Sequence, residues 1–267
     1  MARIAIFDSG VGGLSIYSEV SRRLPGHEFV FVSDNQSYPY GNKTEDWLIE
    51  RVQKLSQRVV DRCSPDVFVV ACNTASTIVL PALRETLEVP VVGVVPAIKP
   101  AAKLSKTKHL GLLATPGTIV RAYTSDLIKE FAADCAVSKV GSSRLVELAE
   151  QKLRGKRIDL SVLEAELEPL LDNKKIDVLV LACTHFPLLN NEIQSVFKAN
   201  NHLIKLVDSA KGIASRVSSL IDDMHPAALT TSNRTAKHQA FFTSGIDAQN
   251  LLIKQLEIIG LTYQGKL

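Results

Sequence analysis

The sequence predicts an α/β protein of two pseudo-symmetric domains, each built on a parallel sheet, with the ligand site between them. Short apolar runs alternate with stretches that have apolar residues at helical spacing, which is typical of parallel α/β sheets. Several of these segments also occur twice, in the same order and at a nearly constant separation. Such a pattern indicates an internal duplication.

The strands follow from apolar, β-branched runs bounded by turn residues. They are predicted at 4–7, 29–32, 67–70, 91–95, 110–113, 178–181, 203–207 and 240–243. Helical periodicity is clearest over 44–62 and 160–171. Ligands of such sheets lie beyond the carboxyl ends of the strands, so the residues that follow each strand are the candidates for function.

The duplication is most evident in two phrases, VFVVACNT over 67–74 and VLVLACTH over 178–185. Each is an apolar strand that ends at a cysteine, and Cys72 and Cys183 are 111 residues apart. The strand at 4–7 likewise resembles the strand at 110–113. The sequence therefore predicts that the two thiols occupy equivalent positions in the two halves.

The composition indicates an ordinary globular protein with a substantial core. The chain has 267 residues, 46% of them hydrophobic and 22% charged. Its net charge of +3 is too small to indicate a nucleic-acid partner. The first strand begins at once, without a signal-peptide pattern, and the most apolar stretch is shorter than the roughly 20 residues of a membrane helix. We expect a cytoplasmic location and no membrane association.

The loops after the strands contain hydroxyls, an amide and backbone N–H groups near helix starts. These groups suit a small ligand with carboxylates. The glycine run at 10–13 fits neither the dinucleotide fingerprint nor the P-loop. A tight strand-to-helix turn and anion binding both remain possible for it.

Because we expect a reducing compartment, we expect no disulfide framework among the four cysteines, and no cysteine or histidine pair has zinc spacing. We therefore predict no metal site. Cys63 and Cys135 lack a strand-end context and are interpreted as inert thiols. The remaining histidines are predicted to be surface residues: His27, His109, His202, His225 and His238.

Cys72 and Cys183 each have a titratable neighbour. Asp8 ends the strand expected beside the Cys72 strand, and His185 follows Cys183 by two residues. Each thiol then has its own proton acceptor or charge-setting partner. The alternatives are structural: a buried thiol, an Asp8 that caps a turn, and a His185 that only donates a hydrogen bond.

Two such thiols suit the inversion of a stereocentre. One proton must leave one face of a carbon while another arrives on the opposite face. A thiol with a pKa near 8.5 exchanges protons after a modest shift, so one cysteine acts as thiolate and the other as thiol.

Six motifs together resemble the bacterial glutamate racemases over nearly the whole chain: 8–14, 39–41, 71–76, 114–118, 182–187 and 207–209. The resemblance implies that Cys72 and Cys183 are the acid/base residues for D- and L-glutamate respectively. Asp8 then assists Cys72, and His185 assists Cys183. The implied substrate contacts are Asp8, Ser9, Tyr40, Gly41, Asn73, Thr74, Thr118, Thr184 and His185.

The resemblance also implies discontinuous domains, 1–97 with 209–267 and then 98–208. It implies no cofactor, a role in peptidoglycan synthesis, a homodimer and a cell-wall precursor as activator. Many relatives have Cys-Pro before a helper glutamate, where this chain has Gly141 and Ser142. Glu150 is assigned as the helper, and Glu147, one turn earlier, is the alternative.

Three other functions are compatible with parts of this pattern. Racemases of aspartate or a hydantoin use the same two-cysteine plan. A two-lobed amino-acid sensor needs the site but not both thiols, so thiol-specific inactivation that glutamate prevents distinguishes it. A cysteine hydrolase leaves the second cysteine unexplained.

Overall fold

The computed structural model describes residues 1–224, 236–246 and 250–267, which form two compact units. The first unit contains Met1–Val94 and Ala210–Leu267, and the second contains Val95–Ser209. These bounds lie within three residues of those expected from the sequence. The assignment of the units as domains stays a prediction.

The described chain alternates strands and helices from its first residues onward. The strands are β1 (Arg3–Asp8), β2 (Glu28–Ser33), β3 (Val67–Val70), β4 (Val91–Gly93), β5 (His109–Ala114), β6 (Ala136–Gly141), β7 (Val178–Leu181), β8 (Lys205–Val207), β9 (His238–Phe242) and β10 (Thr262–Lys266).

Helices connect the strands, as parallel pairing requires. They are α1 (Leu14–Arg23), α2 (Glu45–Cys63), α3 (Asn73–Thr86), α4 (Ile98–Leu104), α5 (Pro116–Val120), α6 (Ala122–Phe131), α7 (Arg144–Leu153), α8 (Leu160–Leu171), α9 (Asn190–Ala199), α10 (Ala210–Met224) and α11 (Leu251–Ile258). Two short 3-10 helices cover Tyr40–Asn42 and Phe186–Leu189. None of the described helices is long and apolar enough to cross a membrane.

The first unit is built on a parallel sheet of order β10-β9-β2-β1-β3-β4. The central strands β1 and β3 are nearly completely buried, because helices cover both faces of such a sheet. Ile4 pairs with Val67 and Phe7 with Val70, which brings the carboxyl end of β1 beside that of β3. The residues that follow these two strands therefore start next to each other.

The second unit repeats this arrangement in a parallel sheet of order β6-β5-β7-β8. Leu110 pairs with Val178 and Leu113 with Leu181. This register is the one that β1 and β3 have in the first sheet, so the strands that precede Cys72 and Cys183 occupy equivalent places. The duplication expected from the sequence is confirmed at the level of strand order.

Two strands were not expected, and two are shorter than expected. β6 and β10 are polar and half exposed, so neither has the apolar run by which the other strands were recognised. The strand predicted at 91–95 ends at Gly93, and the one predicted at 203–207 begins at Lys205. These differences lie at strand ends and sheet edges, where burial is least.

Candidate active site

Cys72 lies directly after β3 and is the N-cap residue of α3. Its thiol is buried in the hydrophobic cluster of the first unit. The partial positive charge of a helix N-terminus favours a negatively charged group at this position. The chain thus places a sulfur at the N-terminus of a helix.

Asp8 and Ser9 follow the neighbouring strand β1 and bring a hydroxyl to Cys72. The Ser9 Oγ lies 3.7 Å from the Cys72 Sγ and 3.2 Å from Asp8 Oδ1. Asp8 Oδ1 also accepts a hydrogen bond from the Ser9 N–H at 2.6 Å. Asp8, Ser9 and Cys72 therefore form one buried cluster, as the pairing of β1 with β3 predicts.

The glycine run has a specific function in this cluster. The Gly13 N–H donates a hydrogen bond to Asp8 Oδ2, so the loop encloses the carboxylate of its own chain. A Cβ at Gly13 would lie 2.9 Å from the Cβ of Asp8 and 3.2 Å from the Cβ of Ala71. The loop therefore turns tightly around the Asp8 carboxylate, and the binding of a ligand anion there stays a prediction.

Tyr40 is fully buried, and its hydroxyl donates a hydrogen bond to Asp34 Oδ2 at 2.7 Å. Arg51 donates to both oxygens of Asp34, and Thr243 donates to Oδ1 at 2.6 Å. Burial and then the negative charge of Asp34 raise the pKa of Tyr40 far above its ordinary value. Tyr40 is therefore held as a neutral phenol. Its neighbour Gly41, by contrast with the buried Tyr40, is exposed.

Asn73 and Thr74 form the first turn of α3 and are buried. The Asn73 Oδ1 has no hydrogen-bond partner among the described residues. A buried amide oxygen without a partner is costly, because it has lost water and gained nothing in return. This atom is available to a ligand that donates a hydrogen bond.

The second unit places Cys183 after β7, followed at once by Thr184 and His185. All three are buried, and the His185 Nδ1 lies 3.8 Å from the Cys183 Sγ. Burial lowers the pKa of His185, but the hydrogen bonds to Cys183 and Glu150 outweigh it. The pKa of His185 therefore lies well above its ordinary value, which favours the imidazolium form of the ring.

Glu150 is the carboxylate that contacts this imidazolium. Glu150 lies on α7 and is buried. Its Oε1 accepts a hydrogen bond from the His185 Nε2 at 2.9 Å. Glu147, the alternative from the sequence, is exposed and pairs with Arg144. Arg154, one turn after Glu150, donates to Glu150 Oε2 at 2.5 Å.

Thr118 lies on α5, which follows β5, the neighbour of the Cys183 strand. Its Oγ is 2.9 Å from the Oγ of Thr115, and its backbone oxygen accepts from Thr124. The residue is completely buried. Thr118 is thus fixed by hydrogen bonds at the carboxyl edge of the second sheet.

The other two cysteines differ from this pattern. Burial raises the pKa of Cys63, and burial followed by the hydrogen bond to Asp134 raises the pKa of Cys135. Raised pKa values make both poor nucleophiles at neutral pH. In the described parts of the chain, no group of three or more His, Cys, Asp or Glu side chains has the arrangement of a metal site.

One prediction about the histidines is wrong. His202 is buried, and its Nε2 lies 2.6 Å from the backbone oxygen of Ile176. The ring satisfies that carbonyl and packs against Phe197, which the sequence around it does not reveal. His225 lies outside the described residues.

The structure thus brings together Asp8, Ser9 and Cys72 in one unit, and Glu150, His185 and Cys183 in the other. Sequence reasoning missed Asp34 with its three donors, and it missed Arg154. Arg154 had a signal, because it follows Glu150 at the i,i+4 spacing of helical ion pairs. The Asp34 contacts join residues far apart in the chain, and local sequence patterns do not contain them.

Comparison with known proteins finds one family throughout. A family model described as Asp/Glu/Hydantoin racemase matches residues 12–216. Glutamate racemase of Pasteurella multocida is 46% identical over 93% of this chain and 91% of its own. Glutamate racemase of Shewanella halifaxensis is 53% identical over 83% of this chain and 82% of its own.

Solved structures agree with the sequence relatives. The crystal structure of Escherichia coli glutamate racemase, in complex with L-glutamate and the activator UDP-MurNAc-Ala, has 43% sequence identity and a TM-score of 0.88. The match covers 98% of this chain and 97% of the other. The order of strands in both sheets and the two thiols can therefore be interpreted within that family.

Proposed function

Because the chain belongs to the Asp/Glu/hydantoin racemase family, we propose that it interconverts L-glutamate and D-glutamate with Cys72 and Cys183 as its two acid/base residues. The observation that supports this most strongly is the equivalence of the two thiols. Each is buried, each follows a central strand by two residues, and the strands have the same register in their sheets.

The reaction needs only proton transfers. One thiolate takes the proton from the α-carbon and becomes a thiol, and the electron pair that remains is delocalised into the substrate carboxylate. The other thiol then gives its proton to the opposite face of the carbon and becomes a thiolate. Atoms and charge balance over the turnover, and we propose that no cofactor takes part.

In the second unit we assign His185 and Glu150 to the support of Cys183, which accepts the proton of L-glutamate. The imidazolium of His185 stabilises the thiolate, since opposite charges at short range favour the ionised form. Glu150 holds the ring through Nε2 and so directs Nδ1 to the sulfur. Thr118 and Thr184 are assigned to the binding of substrate from the same strand ends.

In the first unit we assign Asp8 and Ser9 to Cys72, which accepts the proton of D-glutamate. Asp8 acts on the thiol through the Ser9 hydroxyl, because that Oγ contacts both groups. Tyr40, Gly41, Asn73 and Thr74 are proposed as further substrate contacts of this unit. The Asn73 Oδ1 suits the substrate ammonium, which would supply the hydrogen-bond donor that this atom lacks among the described residues.

The partners of the reaction follow from the family. D-glutamate is proposed to enter peptidoglycan synthesis, and the site of action is then the cytoplasm. The activator bound to the Escherichia coli enzyme suggests that a cell-wall precursor also activates this chain. A homodimer is proposed as the working form.

Single-cysteine variants test the proposal. Cys72→Ser and Cys183→Ser should each lower racemisation by at least about a hundredfold, because serine is a far weaker acid of similar size. With 3-chloroglutamate, removal of the α-proton expels chloride, and the enamine product hydrolyses to 2-oxoglutarate and ammonia. Cys72→Ser should act on the L analogue and Cys183→Ser on the D analogue.

Both variants should still bind glutamate, which calorimetry can measure. Cys63→Ser is the matched control, since that thiol is buried outside the proposed site, and it should keep full activity. If the two variants eliminated chloride from the same enantiomer, the assignment of one face to each thiol would be wrong. Turnover of aspartate at the rate of glutamate would instead favour a broader racemase.

A further inference from the structure

Arg154 is placed to act on Cys183 although it does not touch the thiol. It follows the last residue of α7, one helical turn after Glu150. Its Nη1 donates to Glu150 Oε2 at 2.5 Å and to the Glu150 backbone oxygen at 3.0 Å. The two hydrogen bonds fix both ends of the glutamate relative to the guanidinium.

The two carboxylate oxygens of Glu150 contact two different cationic side chains, Arg154 and His185. Oε2 faces Arg154, and Oε1 faces the His185 Nε2 at 2.9 Å. The other ring nitrogen of His185 lies 3.8 Å from the Cys183 sulfur. A continuous chain of four side chains thus leads from the guanidinium to the thiol.

The charges along this chain alternate. Arg154 is positive, Glu150 negative, His185 positive and the active form of Cys183 negative, so the four groups together are neutral. Without the guanidinium the buried cluster has a net charge of −1 and binds a proton more tightly. The cluster as a whole would then release its protons only at higher pH.

Other charged groups on α7 and on nearby helices have partners of their own. Lys152 of α7 pairs with Glu192 of α9 at 2.8 Å, and it also donates to the Leu188 backbone oxygen. Glu147 pairs with Arg144 at 2.7 Å. On α8, which packs against α7, Glu164 accepts a hydrogen bond from Asn200.

We propose that Arg154 is a positioning residue that acts through Glu150 and His185 to set the pH above which Cys183 can take the proton of L-glutamate. The inference rests on the proposed function, because it assigns Cys183 to the L-enantiomer. It extends that function to a residue outside the motifs that identify the family.

The test uses elimination from 3-chloroglutamate, because racemisation cannot separate the two thiols. For a racemase, kcat/KM is equal in the two directions at every pH, since the equilibrium constant is one. In the Cys72→Ser background, elimination from the L analogue depends on Cys183 alone. Adding Arg154→Met should raise the midpoint of the acidic limb of kcat/KM by about one pH unit and lower the rate at pH 6 about tenfold.

Three controls make the result specific. Arg154→Lys keeps the charge and should restore most of the activity at low pH. Arg144→Met removes an exposed arginine from the same helix and should leave the profile unchanged. In the Cys183→Ser background, a shift of the D-elimination profile as large as that of the L profile would overturn the inference, because the effect would not be directed to Cys183.

A purely structural role would lower elimination equally at all pH values, and that result would also overturn the inference. If the Cys72→Ser parent showed no L-elimination, the proposed function would fail independently of Arg154. NMR titration of the His185 ring without substrate tests the effect of Arg154 on the cluster separately. Arg154→Met should move the midpoint of that titration to higher pH, and an unchanged midpoint would overturn it.

Discussion

The His185 Nε2 lies 2.9 Å from Glu150 Oε1, and both residues are buried. A carboxylate in such contact favours the protonated form of the imidazole more than water does. The contact joins α7 to the turn after β7. A carboxylate on α7 therefore controls the protonation of the His185 ring. This control has consequences that can be measured.

Glu150→Gln should lower the pKa of His185 and reduce turnover. The amide keeps the size of the side chain and a hydrogen-bond acceptor but loses the charge that stabilises the imidazolium. NMR titration of the labelled histidine reports the pKa, and racemisation near neutral pH reports the loss. Glu147→Gln is the matched control on the same helix, because that carboxylate is exposed and pairs only with Arg144 in the described contacts.

His185 should make the stability of the protein depend on pH. Its pKa in the folded chain is raised above the ordinary value of about 6.5, so the folded state holds the proton more tightly than the unfolded state. This stabilisation is fully present below pH 6.5 and disappears as pH rises through the folded pKa. Thermal unfolding of His185→Asn should therefore differ most from that of the parent at low pH, and a difference that grows above neutral pH would contradict this.

Gly13→Ala should destabilise the first unit by about 1–3 kcal/mol through overpacking against Asp8. The added Cβ would lie 2.9 Å from the Asp8 Cβ, and the backbone N–H that Asp8 accepts from would have to move. Urea denaturation measures the change. Gly212→Ala serves as the control, because a Cβ there meets nothing within 4 Å and alanine favours the helix by up to about 1 kcal/mol.

Asp34→Asn should destabilise the chain by about 2 kcal/mol and raise KM for glutamate. The change leaves the Arg51 guanidinium without its buried anion and weakens the hydrogen bond that holds Tyr40. Since a quarter of the Arg51 side chain is exposed, water limits the cost. Glu19→Gln, which removes the ion-pair partner of the exposed Arg22, should change stability by less than about 0.5 kcal/mol. Equal effects of the two substitutions would show that the Asp34 network has no special role.

The sequence predicted those parts of the fold that depend on local patterns. Strands β3 and β7 have the bounds expected, since each is a run of four buried apolar residues. The duplication was visible because the same dipeptide, Ala-Cys, follows both runs. The proximity of Asp8 to Cys72 was predicted from the pairing of the adjacent parallel strands β1 and β3.

Contacts between distant segments could not be predicted in the same way. Thr243 and Asp34 are 209 positions apart, and no periodicity joins them. The choice between Glu147 and Glu150 needed the burial of α7, because both glutamates lie on the same helix within one turn. The prediction that His202 lies on the surface failed for a related reason. Its hydrogen-bond partner is the backbone oxygen of Ile176, which no pattern of side chains in the sequence reveals.

Strands β9 and β10 lie outside β2 in the first sheet, whereas β6, the counterpart of β2, ends the second sheet. An exposed edge strand is a template for aggregation. If β2 were an edge strand it would promote aggregation, because its residues 29–32 are apolar. β6 resists the same hazard by its composition, with Lys139 exposed on a half-polar strand. The two similar sheets thus protect their edges differently, and a substitution that makes β6 apolar would impair solubility before it affected chemistry.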